Sequence, residues 1–180
     1  ENSRRIASRM AQTLLEQDSV DHAMQQMVIK SQSMMKVVRM AIKVAGTQAP
    51  VLLQGESGVG KSMLARIIHQ ISDRKERAFV KINCGTIPPT LMESELFGYE
   101  KGAFTGAMPG GKAGMIETAH RGTVFLDEIA ELRPEMQIKL LEIIEEKTFT
   151  RVGGTRPVAV DVRIIAATNR DLLEMIREGT

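Results

Sequence analysis

The sequence predicts a three-layer α/β fold on a parallel sheet, and three observations carry that prediction. From residue 31 onward, short apolar runs alternate with amphipathic helical ones. A glycine-rich stretch joins the first apolar run to the helix after it. Later apolar runs end on carboxylate or amide side chains, at the strand ends where such sheets hold ligands.

In order, "SQSMMKVVRMAIKVA" (31–45) opens with serines suited to capping and continues as a helix apolar over much of its circumference. "PVLLQ" (50–54) reads as a buried strand and "KSMLARIIHQI" (61–71) as a helix. "AFVKIN" (78–83) and "GTVFLDE" (122–128) read as strands. "PEMQIKLLEIIEEK" (134–147) is a helix with proline in its first turn. "DVRIIAATN" (161–169) is a strand and "RDLLEMIREG" (170–179) a helix. Ahead of these, residues 1–22 carry Ile6, Met10 and Leu14 at i, i+4 spacing. That spacing predicts an amphipathic helix, either packed on the domain or linking it to an upstream one. Two units follow, a helix over 1–22 and an α/β domain over 23–180.

Composition narrows the function. The chain has 180 residues, 43% hydrophobic and 26% charged, enough for a real core. A net charge of +2 gives no dominant basic surface, and 3% aromatics without tryptophan argue against a base-stacking groove. Cys84 is the one cysteine, which excludes an internal disulfide and a multi-cysteine zinc site. No apolar run approaches the ~20 residues that span a bilayer, and no signal peptide opens the chain, so a cytoplasmic protein is expected.

"GESGVGKS" (55–62) matches G-x-x-x-x-G-K-[ST] between a strand and a helix, the context this phosphate loop requires. Gly55, Gly58 and Gly60 allow tight turns and close approach of the backbone to phosphate. With Glu56, Ser57 and Val59 they form the loop, whose N–H groups and helix end make an anion nest. Lys61 is expected to reach the β- and γ-phosphates of ATP, and the Ser62 hydroxyl to ligate Mg²⁺. The strand "TVFLDE" ends in Asp127, which would hold the metal's water shell, and Glu128, which would polarise an attacking water. A carboxylate base makes hydrolysis the better reading than passive binding. Asn169 ends "IIAATN" and has two readings, a γ-phosphate sensor or the cap of the next helix. Asn83 ends "FVKIN" and is placed to hydrogen-bond Glu128 and hold it off the water, which would make hydrolysis switchable. Cys84 beside it reads as a small buried residue.

"EKGAFTGAM" (100–108) is too glycine-rich for a helix or strand and too apolar for an ordinary solvated loop. Phe104 either folds into the core or stands out as a contact, with Gly102 and Gly106 as hinges.

"GESGVGKS", "INCGTIP", "ESELFGYEKGAFTGA", "GTVFLDEI" and "RVGGTRPVAVDVRIIAATNRDL", in that order, resemble the central AAA+ domain of bacterial sigma-54-dependent transcriptional activators. The likeness runs from about Val28 to Thr180. It implies a P-loop NTPase of the AAA+ α/β type that hydrolyses ATP with Mg²⁺ in the bacterial cytoplasm, as a ring of six or seven subunits. It implies that Gly102, Ala103, Phe104, Thr105, Gly106 and Ala107 contact sigma-54 RNA polymerase holoenzyme, with Phe104 and Thr105 at the tip. ATP turnover would then convert a closed promoter complex to an open one. By the same likeness Lys61, Asp127 and Glu128 are the nucleotide machinery, Asn169 the sensor and Asn83 the glutamate's switch partner. "TRVGGTRPVAVD" would be a second pore-facing loop.

One departure is that the family commonly has G-K-E where this chain has Gly60-Lys61-Ser62; serine is the general magnesium-ligating residue there. The other is that the arginine fingers, the helical lid and a DNA-binding helix-turn-helix are expected after "MIREGT". On that reading the domain is C-terminally incomplete. DNA is contacted only through a part absent from these 180 residues, and they hydrolyse ATP very slowly alone. Alternatives are another AAA+ motor acting on nucleic acid, against which the charge and scarce aromatics argue, and a nucleotide-binding switch without turnover.

Overall fold

A computed structural model of the protein describes residues 31–179. The helix predicted over 1–22 lies outside them. Helix α1 (Gln32–Ala45) starts at Ser31, whose Oγ accepts from the Met34 N–H at 3.2 Å, as serine does at an N-cap. Only one stripe of it, Val38, Ala41 and Ala45, is buried, while Val37 and Met40 face out. Ile42 and Val44 are partly buried against the same core, so the apolar surface predicted around much of this helix is divided between core and solvent.

Strand β1 (Val51–Gln54) leads through residues 55–60 into α2 (Lys61–Gln70), then β2 (Phe79–Asn83) and α3 (Met92–Phe97). A ribbon of β3 (Gly98–Tyr99) and β4 (Lys112–Ala113) encloses residues 100–111, and α4 (Met115–Thr118) precedes β5 (Thr123–Asp127). After a 3₁₀ turn at Ile129–Glu131 come α5 (Pro134–Glu146) and a second ribbon, β6 (Thr148–Thr150) with β7 (Pro157–Ala159). Strand β8 (Arg163–Thr168) and α6 (Leu172–Glu178) follow.

The central sheet is parallel, in the order β1-β8-β5-β2. Alternation along the strands feeds two cores. Val124, Leu126 and Ile164 pack with Ile82, Leu96, Phe97 and Ile143 on one face. Phe125, Ile165 and Ala167 pack with Val38, Leu64, Ile67 and Ile68 of α1 and α2 on the other. Two helical layers around one sheet give the predicted three layers. Strands β5 and β8 sit in the middle and are buried nearly throughout. Strand β1 differs from its prediction as a buried strand: it is an edge, and Leu52 is half exposed.

Two buried polar residues fasten the frame. Arg163, which opens β8, donates to the Ala45 and Val44 carbonyls at 2.7 and 2.6 Å, satisfying the end of α1. His69 in α2 shares a 2.9 Å hydrogen bond with the Thr123 hydroxyl of β5, and burial lowers its pKa.

Candidate functional site

The phosphate loop begins where β1 ends, pinned by the Gly55 N–H to the Thr168 carbonyl at 3.2 Å. Gly58 and Gly60 have φ of 81° and 95°, a region that side chains disfavour, so these two glycines are required by the turn. Gly55 is not in that region. Gly60 starts α2 without a side-chain cap, leaving the first N–H groups of that helix open to an anion. Lys61 folds back on its own loop, donating to the Gly55 and Glu56 carbonyls at 2.7 and 2.8 Å.

Strand pairing delivers the other half. Asn83 lies opposite Asp127 in the β2–β5 register, so both emerge at the same carboxyl edge as the loop. The Ser62 hydroxyl donates to Asp127 Oδ2 at 3.1 Å. The next residue, Glu128, adopts φ 57° and ψ 46°, a left-handed turn that separates its side chain from that of Asp127. Asn169 follows β8 and is exposed, and the cap of α6 is Asp171, whose carboxylate accepts from the Leu173 and Glu174 N–H groups. The capping alternative for Asn169 is thereby answered: its amide is not spent on the helix.

These groups surround one cavity of about 460 Å³. Ser57, Gly58, Gly60, Lys61, Ser62, Asn83, Asp127, Glu128 and Asn169 line it, with Met63 the one lining residue absent from the prediction. Gly55, Glu56 and Val59 do not line it; the first two hold Lys61, and Val59 is partly exposed beside it. Asn83 does not hydrogen-bond Glu128. Its Oδ1 accepts from the Gly85 N–H at 2.9 Å, and the Glu128 carboxylate rests against the same glycine.

Sequence reasoning missed Lys81. Its ammonium donates to Ser62 Oγ at 3.1 Å and pairs with Asp127 at 3.4 Å. Strand alternation could have found it, because residue 81 shares a face with residue 83. A cation thus already sits against the two oxygens predicted to serve a metal. That donor set, a hydroxyl and a carboxylate, fits Mg²⁺. Cys84 is buried, and burial together with Asp127, Glu128 and Glu131 pushes its thiol up to about 12, which leaves it inert.

The loop at 100–108 is a chain of tight turns. Gly102 and Gly106 take φ of 76° and 92°, with the Ala103 N–H on the Glu100 carbonyl and the Ala107 N–H on Phe104. Phe104 is neither in the core nor fully free: it is 44% exposed and meets the Tyr99 ring edge-on at 4.9 Å. Gly102, Thr105 and Gly106 are exposed, and Ala103 and Ala107 half-buried.

The stretch predicted as a second loop, 150–161, forms the ribbon turn between β6 and β7 and docks on the first. Val152 bonds to the backbone on both sides of Tyr99: the Glu100 N–H donates to Val152 O and the Val152 N–H to Gly98 O, each 3.0 Å. Arg151 clamps Glu117 through two nitrogens and reaches Glu100 at 3.1 Å. A Cβ on Gly153 would stand 2.8 Å from Ala103, so the two backbones touch. None of this network was visible as a motif.

Among the described residues no helix is long and apolar enough to cross a membrane. Residues 27–180 match the sigma-54 interaction domain. The chain is 57% identical over 156 residues to a protein from the HyuA 5′ region of Pseudomonas sp. (strain NS671), covering 87% of this chain and 53% of that one. It is 54% identical over 150 residues to nitrogen fixation protein AnfA of Azotobacter vinelandii, covering 83% and 28%. The chain thus spans about half of the first relative and a smaller part of the second. Among solved structures, NtrX from Brucella abortus in complex with ADP aligns over all of this chain and 39% of its own, with TM-score 0.77 and 38% identity. A phosphate loop and two acids at the edge of one parallel sheet, with an exposed glycine-rich loop on a separate ribbon, agree with that likeness, and the chain belongs to the sigma-54 interaction domain family.

Proposed function

We propose that this domain hydrolyses ATP and uses the turnover to move residues 102–107 against sigma-54 RNA polymerase holoenzyme, driving the closed promoter complex open. The observation that carries the reading is the single cavity gathering Lys61, Ser62, Asp127, Glu128 and Asn169 at the sheet's carboxyl edge. The ADP complex of NtrX supports a nucleotide in the equivalent fold.

In this reading the phosphates lie on the N-terminus of α2, and Lys61 exchanges its two loop carbonyls for phosphate oxygens. Ser62 and Asp127 would hold Mg²⁺, which when bound neutralises charge on the phosphates. Glu128 accepts the proton of water as the water oxygen bonds to the γ-phosphorus and the bond to the ADP oxygen breaks. Asn169, free of a capping role, hydrogen-bonds the γ-phosphate or the water. The complete protein works as a ring, and DNA contact belongs to other parts of it.

The test is sigma-54-dependent open-complex formation by the full-length protein. ATP should support it and a non-hydrolysable analogue should not. Equal activity with both would contradict a turnover-driven mechanism.

A further inference from the structure

Gly85 has no conformational reason to be glycine. Its φ is outside the left-handed region, so an L-residue fits the backbone. The obstruction is a side chain. A Cβ at this position would lie 2.1 Å from Glu128 Oε2 and 3.2 Å from its carboxyl carbon, with Asn83 Oδ1 at 3.4 Å. The Glu128 carboxylate therefore occupies the volume that any other residue would fill. Nothing else holds it there: it makes no hydrogen bond or ion pair among the described residues. Gly85 itself is fixed, because Asn83 Oδ1 takes its N–H at 2.9 Å and the Thr86 hydroxyl closes the same turn on the Asn83 carbonyl at 3.1 Å.

The space open to a displaced carboxylate is the phosphate cavity, which Glu128 already lines. Gly85 does not line that cavity; it lines a separate, smaller one of about 160 Å³ with Cys84 and Ile87. A methyl at residue 85 would displace the carboxylate from its place beside the Cα, and the phosphate cavity is where it would go.

The structure assigns Gly85 the role of a positioning residue: its bare Cα is a notch in which the Glu128 carboxylate parks, and the parking restrains basal hydrolysis. The assignment rests on Glu128 being the base. It gives Asn83 a route to the glutamate that needs no direct hydrogen bond, through the glycine whose N–H it holds.

The experiment uses the full-length protein without sigma-54 holoenzyme. Steady-state ATP hydrolysis is measured for wild type, Gly85→Ala, Gly85→Ser, Glu128→Gln and Gly85→Ala/Glu128→Gln, with nucleotide affinity from a fluorescent ATP analogue. Gly85→Ala is expected to raise kcat about 3- to 10-fold, of the size that a modest barrier change gives, with KM and affinity unchanged. In the Glu128→Gln background the same substitution should change nothing. An unchanged or lower kcat with intact affinity would overturn the notch, as would an equal effect in both backgrounds. Failure of both residue-85 variants to fold would overturn it too, since only a movable carboxylate should obstruct that site. Hydrolysis that Glu128→Gln does not reduce would remove the base assignment itself, a separate result from a silent Gly85→Ala.

Discussion

Lys61 is held by two carbonyls of its own loop at 2.7 and 2.8 Å, while the Thr105 side chain makes no hydrogen bond among the described residues. The contrast extends to what surrounds them. The phosphate cavity stands on the buried strands β5 and β8, with Lys61, Ser62, Asn83, Asp127, Glu128 and Asn169 all delivered at or next to a strand end or a helix start. The loop at 100–108 stands on a two-residue ribbon and is steadied by one aromatic contact and by the second ribbon beside it. A preset site favours charge stabilisation without reorganisation. A hinged one with few contacts can move at little cost. The difference teaches that the two regions rest on different supports, the cavity on the central parallel sheet and the loop on a ribbon of its own, which is the division that the proposed roles require. Arg151, Glu100 and Glu117 form the polar link among those looser parts.

The largest expected effect sits in the preset half. Lys61→Ala should weaken nucleotide binding by about 10- to 100-fold per lost charge-assisted contact, read by calorimetric titration. Unchanged affinity would break the assignment of this cavity. A smaller effect should appear in the looser half. Arg151→Ala should leave nucleotide affinity intact and raise amide exchange at Glu100 and Val152 by roughly tenfold, equivalent to about 1.4 kcal/mol of local opening. A loss of nucleotide binding there would show that the two regions are not separable.

The smallest effect concerns the frame. His69 is buried on Thr123, and burial holds its pKa below the ordinary 6.5. The unfolded chain then binds the proton more readily, so His69's contribution is fully present above pH 6.5 and is lost as pH falls through its folded pKa. The stability slope below pH 6.5, at most about 1.4 kcal/mol per pH unit for one proton, should flatten in His69→Gln, as read from denaturant unfolding. An identical slope would remove His69 from the account.

The preset half was the legible half. A phosphate loop and an acid-terminated strand have spacings fixed by the ligand they serve, so Gly58, Gly60, Lys61, Ser62, Asp127 and Glu128 could be named from order alone, and the structure brings them together. The helices and central strands were legible for a similar reason, since burial on a sheet imposes period. The edge position of β1 was not, because an apolar run does not say how many neighbours it has. Lys81 and Gly85 matter through cross-strand and cross-turn neighbours, which one-dimensional spacing does not contain. The docking of 151–153 on 98–103 was equally hidden: Arg151 meets Glu117 across 34 positions of sequence. Phe104 fell between its two readings, half exposed on Tyr99.

The central claim is that hydrolysis and remodelling reside in separable parts of this domain. Thr105→Ala in the full-length protein tests it most directly, with ATP hydrolysis and sigma-54 open-complex formation measured on the same preparation. Hydrolysis should stay within about twofold of wild type, a change worth less than 0.5 kcal/mol, while open-complex formation is lost. Open complexes formed at the wild-type level, or hydrolysis lost together with them, would contradict the account.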